Sequence, residues 1–204
     1  ELPELGILFM APMVRAILSG AKTQTRRIVK PDGKYRLDLV CPPDGGPSRC
    51  PYGMPGDRLW VKEQTIKVED RGWIGPVYTE SDEGRQAMDW GYGEPDDPDH
   101  IPPHAIKRRP SLFMTRAMSR ITLEVTAVRV ERLQDISEAD ALAEGVSQSG
   151  TGAAWASGKY DARSDPMRLF QPIALFERTW ESINGPGSWD QNPFVWAITF
   201  KRLT

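Results

Sequence analysis

The sequence has no long apolar run. None of its hydrophobic stretches approaches the roughly 20 residues that a bilayer-crossing helix needs, so nothing in the 204 residues reads as a membrane span. Cysteine is scarce, with two (Cys41 and Cys50), and so is histidine, with two (His100 and His104). So few thiols exclude a disulfide-stapled framework. The four side chains also make a poor zinc site, because the cysteines lack the short spacing of a zinc knuckle and Pro102-Pro103 keeps the histidines off a shared helix face. Unliganded thiols are the expected state, and no metal or cofactor is implied. The chain shows no charged-then-apolar leader at its start, which gives a reducing cytoplasm as the expectation. A large excess of either charge is missing too, with a formal net charge of −2.

What is present is an uneven distribution of that charge. Between Val68 and His100 there are ten acids against two bases, whereas from Ala105 to Arg132 there are seven bases against two acids. Such asymmetry suits an anionic partner for one face, with solvated surface as the plainer explanation. The length fits a single domain, 1–204, carrying an acidic, Gly- and Pro-rich insertion at about 69–109 with too few large apolar residues for a second core.

Taken in order, Ile7-Leu8-Phe9-Met10 reads as a buried strand. Met13, Val14, Ile17 and Leu18 then recur at helical spacing after Pro12, with Gly20 as the stop. Thr23 to Val29 suits a half-buried strand, and residues 31 to 57 are loop. Arg58 to Val68 alternates as one strand, with Leu59 and Val61 on its apolar face. Glu63 falls in line with that face and needs a partner if buried; the preferred reading sets it at the exposed rim. The insertion offers one hairpin around Trp73 to Tyr78. Ile121 to Leu133 is a long strand whose apolar phase flips between Ala127 and Val128, the mark of a bulge or a barrel corner. Ser137 caps a helix that ends at Glu144, beside the unfavourable negative end of its dipole, with Gly145 as stop. Val146 to Pro166 is a small, polar loop, Pro172 opens a helix striped with Ile173, Phe176, Trp180 and Ile183, and Phe194 to Phe200 is a closing strand. The order fits α+β, a small mixed β-barrel flanked by helices.

Three motifs carry a resemblance: Ala16-Ile17-Leu18-Ser19-Gly20-Ala21-Lys22-Thr23-Gln24-Thr25-Arg26-Arg27, Pro55-Gly56-Asp57-Arg58-Leu59-Trp60-Val61-Lys62-Glu63, and Ile121-Thr122-Leu123-Glu124-Val125-Thr126. Together they resemble the ASCH domain family, whose fold is a PUA-like barrel. Ile7 to Pro31 with Cys50-Pro51-Tyr52-Gly53 is similar to the longer ASCH proteins of bacteriophages and prophages, which implies the cytoplasm of a bacterial host. The resemblance implies a nucleoside or RNA as partner and no membrane. It also implies one of three activities: removal of the acetyl group from N4-acetylcytidine, non-enzymatic RNA binding, or ribonuclease action. The amidohydrolase of the family uses a Lys, a Thr and a Glu, which fall here on Lys22, Thr25 and Glu144. Thr23, Arg26, Arg27, Trp60, Glu63 and Arg116 are implied as substrate- or nucleic-acid-binding residues. One departure stands in the run before the long strand, where Phe113 replaces a histidine common among the phage relatives.

The chemistry of the triplet is coherent. A threonine hydroxyl attacks a carbonyl only after a base takes its proton, and a lysine serves once desolvation or neighbouring cations such as Arg26 and Arg27 lower its pKa. Glu144 then holds the lysine or passes a proton to the leaving amine. A regular strand would turn Lys22, Gln24 and Arg26 one way and Thr23, Thr25 and Arg27 the other. Lys22 and Thr25 converge only if Lys22 lies in the turn after Gly20. The competing picture is phosphate binding by Arg26, Arg27, Lys30 and Lys107-Arg108-Arg109, with Trp60, Trp73 or Trp90 as stacking platforms.

Overall fold

Strands from both ends of the chain and one bent strand from its middle make the principal sheet. The computed structural model describes residues 4–30, 50–69, 72, 75–146 and 171–204. Strand β1 (Glu4–Leu8) lies parallel to β3 (Arg58–Lys62), and β3 is antiparallel to the long β7 (Thr122–Arg132). Next comes β8 (Phe194–Arg202) and finally β2 (Gln24–Ile28), both antiparallel, giving the order β1-β3-β7-β8-β2. The phase flip in β7 is a bulge: the register shifts between Val125 and Ala127, leaving Thr126 as the extra residue, and Val128 and Val130 then turn inward.

The expected barrel is not closed. Among the described residues β1 and β2 share no ladder and are the two edges of the sheet. The seam between them is spanned by a side chain, with Arg27 Nη2 donating to the Leu8 carbonyl at 2.6 Å. Helix α1 (Ala11–Leu18) connects the two edges and buries Val14 and Ile17 with Phe9 in the core between them. Pro12 sits in its first turn, and Gly20, at φ 78°, ends the turn beyond it.

The sheet has apolar packing on both faces. Ile7, Leu59, Val61, Leu123, Val125, Trp196, Ile198 and Phe200 form the larger core with α1. Val195 belongs instead to a second cluster with Leu133, Ile136, Ala141, Phe176 and Trp180. The helices of that cluster are α3 (Glu138–Ala143), whose Ser137 cap accepts from the Asp140 amide, and α4 (Pro172–Asn184), stopped at Gly185 with φ 98°.

Two further expectations are corrected. The strand expected over Arg58 to Val68 breaks after Lys62. Thr65–Ile66 is a separate strand, β4, in a second sheet of order β5-β4-β6 with Val77–Tyr78 (β5) and Arg108–Arg109 (β6). That sheet gives the insertion a small core after all, with Ile66, Val68, Val77 and Ala87 buried under Met88, Tyr92 and Ile106. Ala87 comes from helix α2 (Asp82–Trp90), capped by Ser81. Its polar composition hid it from the periodicity, although Ser81-Asp82-Glu83 is a helix-start signal. Trp73, part of the expected hairpin, lies outside the described residues, as do Cys41 and all but Val146 of the expected loop from Val146 to Pro166.

Candidate functional site

The site grows out of the turn between α1 and β2. After Gly20 the chain runs between α1 and the end of α3, held by Lys22 N to Ala16 O (2.9 Å) and Thr23 N to Ala143 O (2.8 Å). Lys22 and Glu144 form an isolated antiparallel bridge just outside the edge strand β2. Gly145, at φ 83°, makes this approach possible. A Cβ there would lie 2.9 Å from both the Ala16 Cβ and the Lys22 Cβ.

Lys22 is 2% exposed, and its amine has three acceptors: Gln24 O at 2.8 Å, Glu144 O at 2.9 Å and Glu144 Oε2 at 2.7 Å. Three acceptors match the three protons of an ammonium. Burial lowers the pKa of this lysine, and the Glu144 carboxylate opposes that shift. The other Glu144 oxygen, Oε1, accepts from Arg26 Nη1 at 3.2 Å, so one buried carboxylate is clamped between two cations.

Arg26 in turn meets Glu131 Oε1 through Nη2 (2.6 Å) and Nε (3.0 Å) and approaches Asp140 Oδ2 at 3.3 Å. Gln24 accepts from Arg26 and donates to Asp140 and Thr199. Arg129 completes the network on Glu131 and Asp140. Three cations (Lys22, Arg26, Arg129) thus face three carboxylates (Glu131, Asp140, Glu144), and the cluster is internally neutral.

A cavity of about 230 Å³ opens beside it, lined by Thr25, Arg26, Arg27, Lys30, Tyr52 and Glu144 with Met13 and residues of α4. Because β2 is an edge strand, successive residues from both of its faces reach this space. A second, mostly apolar hollow of about 300 Å³ between α1 and α4 shares Met13, Glu144, Val146, Thr179 and Ile183 with the first. Glu144 therefore stands where a polar and an apolar space meet.

The structure brings together Thr25, Arg26, Arg27 and Glu144 at the cavity; Lys22 lies in the turn after Gly20 but behind Glu144, and its amine does not line the cavity with Thr25. The other expected binding residues are elsewhere. Thr23 is exposed and acts through its backbone, accepting from Phe200 N at 2.8 Å. Trp60 lies against Gly6 with the Lys62 amine 4.9 Å from its ring centroid. Arg116 pairs with Glu4, and Phe113 is 67% exposed on a short turn.

Glu63 is corrected outright: it is 1% exposed, not at a rim. Both its oxygens accept from Arg120 at 2.9 Å, and the Arg120 guanidinium lies 4.1 Å from the Tyr78 ring centroid. In the basic run, Arg109 is neutralised by Glu69, and Trp90 stands exposed in the insertion. Neither lines the cavity. His100 Nδ1 lies 3.0 Å from Gly93 O, and burial pushes the Cys50 thiol up to about 11. Among the described residues no group of three His, Cys, Asp or Glu is placed to hold a metal ion, and no helix is long and apolar enough to cross a membrane.

Sequence reasoning missed Glu131, Asp140 and Arg129. The i, i+2 spacing of Arg129 and Glu131 on one face of β7 was the available signal. The chain matches no family model, no curated protein and no solved structure.

Proposed function

We propose that this chain acts on a modified nucleoside, free or within RNA, as an amide hydrolase that removes the acyl group from N4-acetylcytidine. The observation that carries this reading is that Thr25 and Glu144, from distant parts of the chain, line one cavity while Lys22 grips the Glu144 carboxylate from behind. The resemblance of the Gly20 to Arg27 motif to ASCH amidohydrolases supports it. So does the bent sheet with its side-chain-bridged seam, in keeping with a PUA-like barrel left open on one side. A space of about 230 Å³ lies below the roughly 300–1,000 Å³ that encloses drug-sized ligands, so it suits one acylated base.

In the resting arrangement every proton of the Lys22 ammonium is engaged. Glu144, which lines the cavity with Thr25 and is held in place by Lys22, takes the Thr25 proton as Oγ attacks the acyl carbon. Protonated Glu144 then gives its proton to N4, the C–N bond breaks, cytidine departs, and the acyl group stays on Thr25 as an ester. Water, deprotonated by Glu144, hydrolyses the ester; the proton returns to Thr25 Oγ, and a carboxylate is released.

Release of cytidine from N4-acetylcytidine tests the proposal. The wild type releases it, and Thr25→Val lowers kcat by about 10²–10⁴-fold with the fold retained by circular dichroism. No release, or release untouched by Thr25→Val, overturns it. A second reading, a non-catalytic RNA-binding module, is favoured by the saturated coordination of Lys22. It requires RNA binding that weakens steeply with salt while N4-acetylcytidine stays intact.

A further inference from the structure

The two adjacent arginines of β2 are in opposite electrostatic situations. Arg26 spends its guanidinium on Glu131, Asp140 and Glu144, inside a cluster whose charges cancel. Arg27 lines the same cavity, yet no carboxylate among the described residues lies within ion-pairing distance of it. Among those residues only its Nη2 meets a protein acceptor, the Leu8 carbonyl; Nε is buried with no partner. The Phe9 ring lies 5.3 Å from its guanidinium carbon, so the group is held in place. Lys30 lines the cavity as well and also has no carboxylate partner among the described residues. Elsewhere on the surface Arg109 and Arg116 each have a glutamate.

Burial lowers the pKa of Arg27, and Glu144 opposes this only from a distance, its oxygens already held by Lys22 and Arg26. A desolvated guanidinium with no carboxylate in contact is costly unless a ligand supplies a counter-ion. The ligand that suits it has planar or tetrahedral oxyanion geometry and can also meet a lysine, as a phosphate does. We infer that the Arg27 and Lys30 end of the cavity holds the phosphate of a nucleotide, so that a cytidine phosphate ester is bound in preference to the free nucleoside. This rests on the nucleoside reading above and narrows it. Arg27, already anchored by Leu8 and Phe9, loses little freedom on binding, which favours affinity.

Calorimetric titration of the full chain with cytidine, cytidine 5′-monophosphate and cytidine 3′-monophosphate tests it without requiring turnover. At least one ester binds about ten- to a hundredfold tighter than cytidine, the loss expected when a charged hydrogen bond is absent. In Arg27→Gln the ester and cytidine bind alike, and Arg27→Lys restores part of the preference; circular dichroism checks that both variants fold. Equal binding of cytidine and both esters to the wild type, or a preference that survives in Arg27→Gln, overturns the inference. An ester preference in a chain that never releases cytidine from N4-acetylcytidine sinks the hydrolase reading alone. Turnover of N4-acetylcytidine with no ester preference sinks this inference alone.

Discussion

A lysine enclosed like Lys22 changes how the protein responds to pH. Burial lowers its pKa, with Glu144 pulling the other way, so the unfolded chain holds the proton more firmly than the folded one. Between the lowered folded value and the roughly 10.4 of a free lysine, the unfolded state binds more protons, and stability therefore rises with pH across that window. Urea unfolding from neutral pH upward shows this slope in the wild type and a shallower one in Lys22→Met, where Glu144 keeps Arg26 as its partner. Identical slopes would remove the argument. That Thr25 and Glu144 share one cavity, with Lys22 on the Glu144 carboxylate, could be anticipated from the motif resemblance. The contrast between Arg26 and Arg27 could not, because the carboxylate that absorbs most of Arg26, Glu131, lies 105 positions along the chain. Local sequence shows which residues are charged but not which charges are already cancelled.

Gly145 is the point at which three segments close on one another. Its positive φ alone makes alanine unfavourable by about 1–2 kcal/mol. The clash with Ala16 and Lys22 adds about 1–3 kcal/mol. Gly20 has a similar φ, but a methyl group there would meet nothing within 4 Å, so Gly20→Ala carries the backbone cost alone. Denaturant midpoints therefore place Gly145→Ala below Gly20→Ala, and equal losses would show that the close approach does not matter. Elements with caps or strong periodicity, such as α1, α3 and the bulged β7, are legible in the sequence. The division between β3 and β4 is not, because the alternation runs straight through it: Leu59, Val61, Glu63 and Thr65 are all buried. What separates the strands is a change of partner sheet, and side-chain period does not encode that.

At the scale of the molecule, the Glu63–Arg120 pair joins the principal sheet to the insertion. Glu63 follows β3, Arg120 precedes β7, and Tyr78 of β5 packs on Arg120 while donating to the Met118 carbonyl at 2.9 Å. Arg120→Met leaves a buried carboxylate alone and costs about 3 kcal/mol, the low end of the usual range because Arg120 is partly exposed. Pairing it with Glu63→Gln recovers part of that loss. Thermal unfolding of the two single variants and the double variant decides the matter, and strictly additive losses would show that the pair is not coupled. The sheet order has a different consequence for how the protein comes into being. Among the described residues the backbone ladder of β2 is to β8 alone, so the strand that carries Thr25 is synthesised long before its sheet partner. A growing chain emerging from the ribosome thus carries Lys22, Thr25 and Glu144 before β2 has a strand to pair with, and the edge that bears Thr25 is fixed in the sheet only once Phe194–Arg202 has been made.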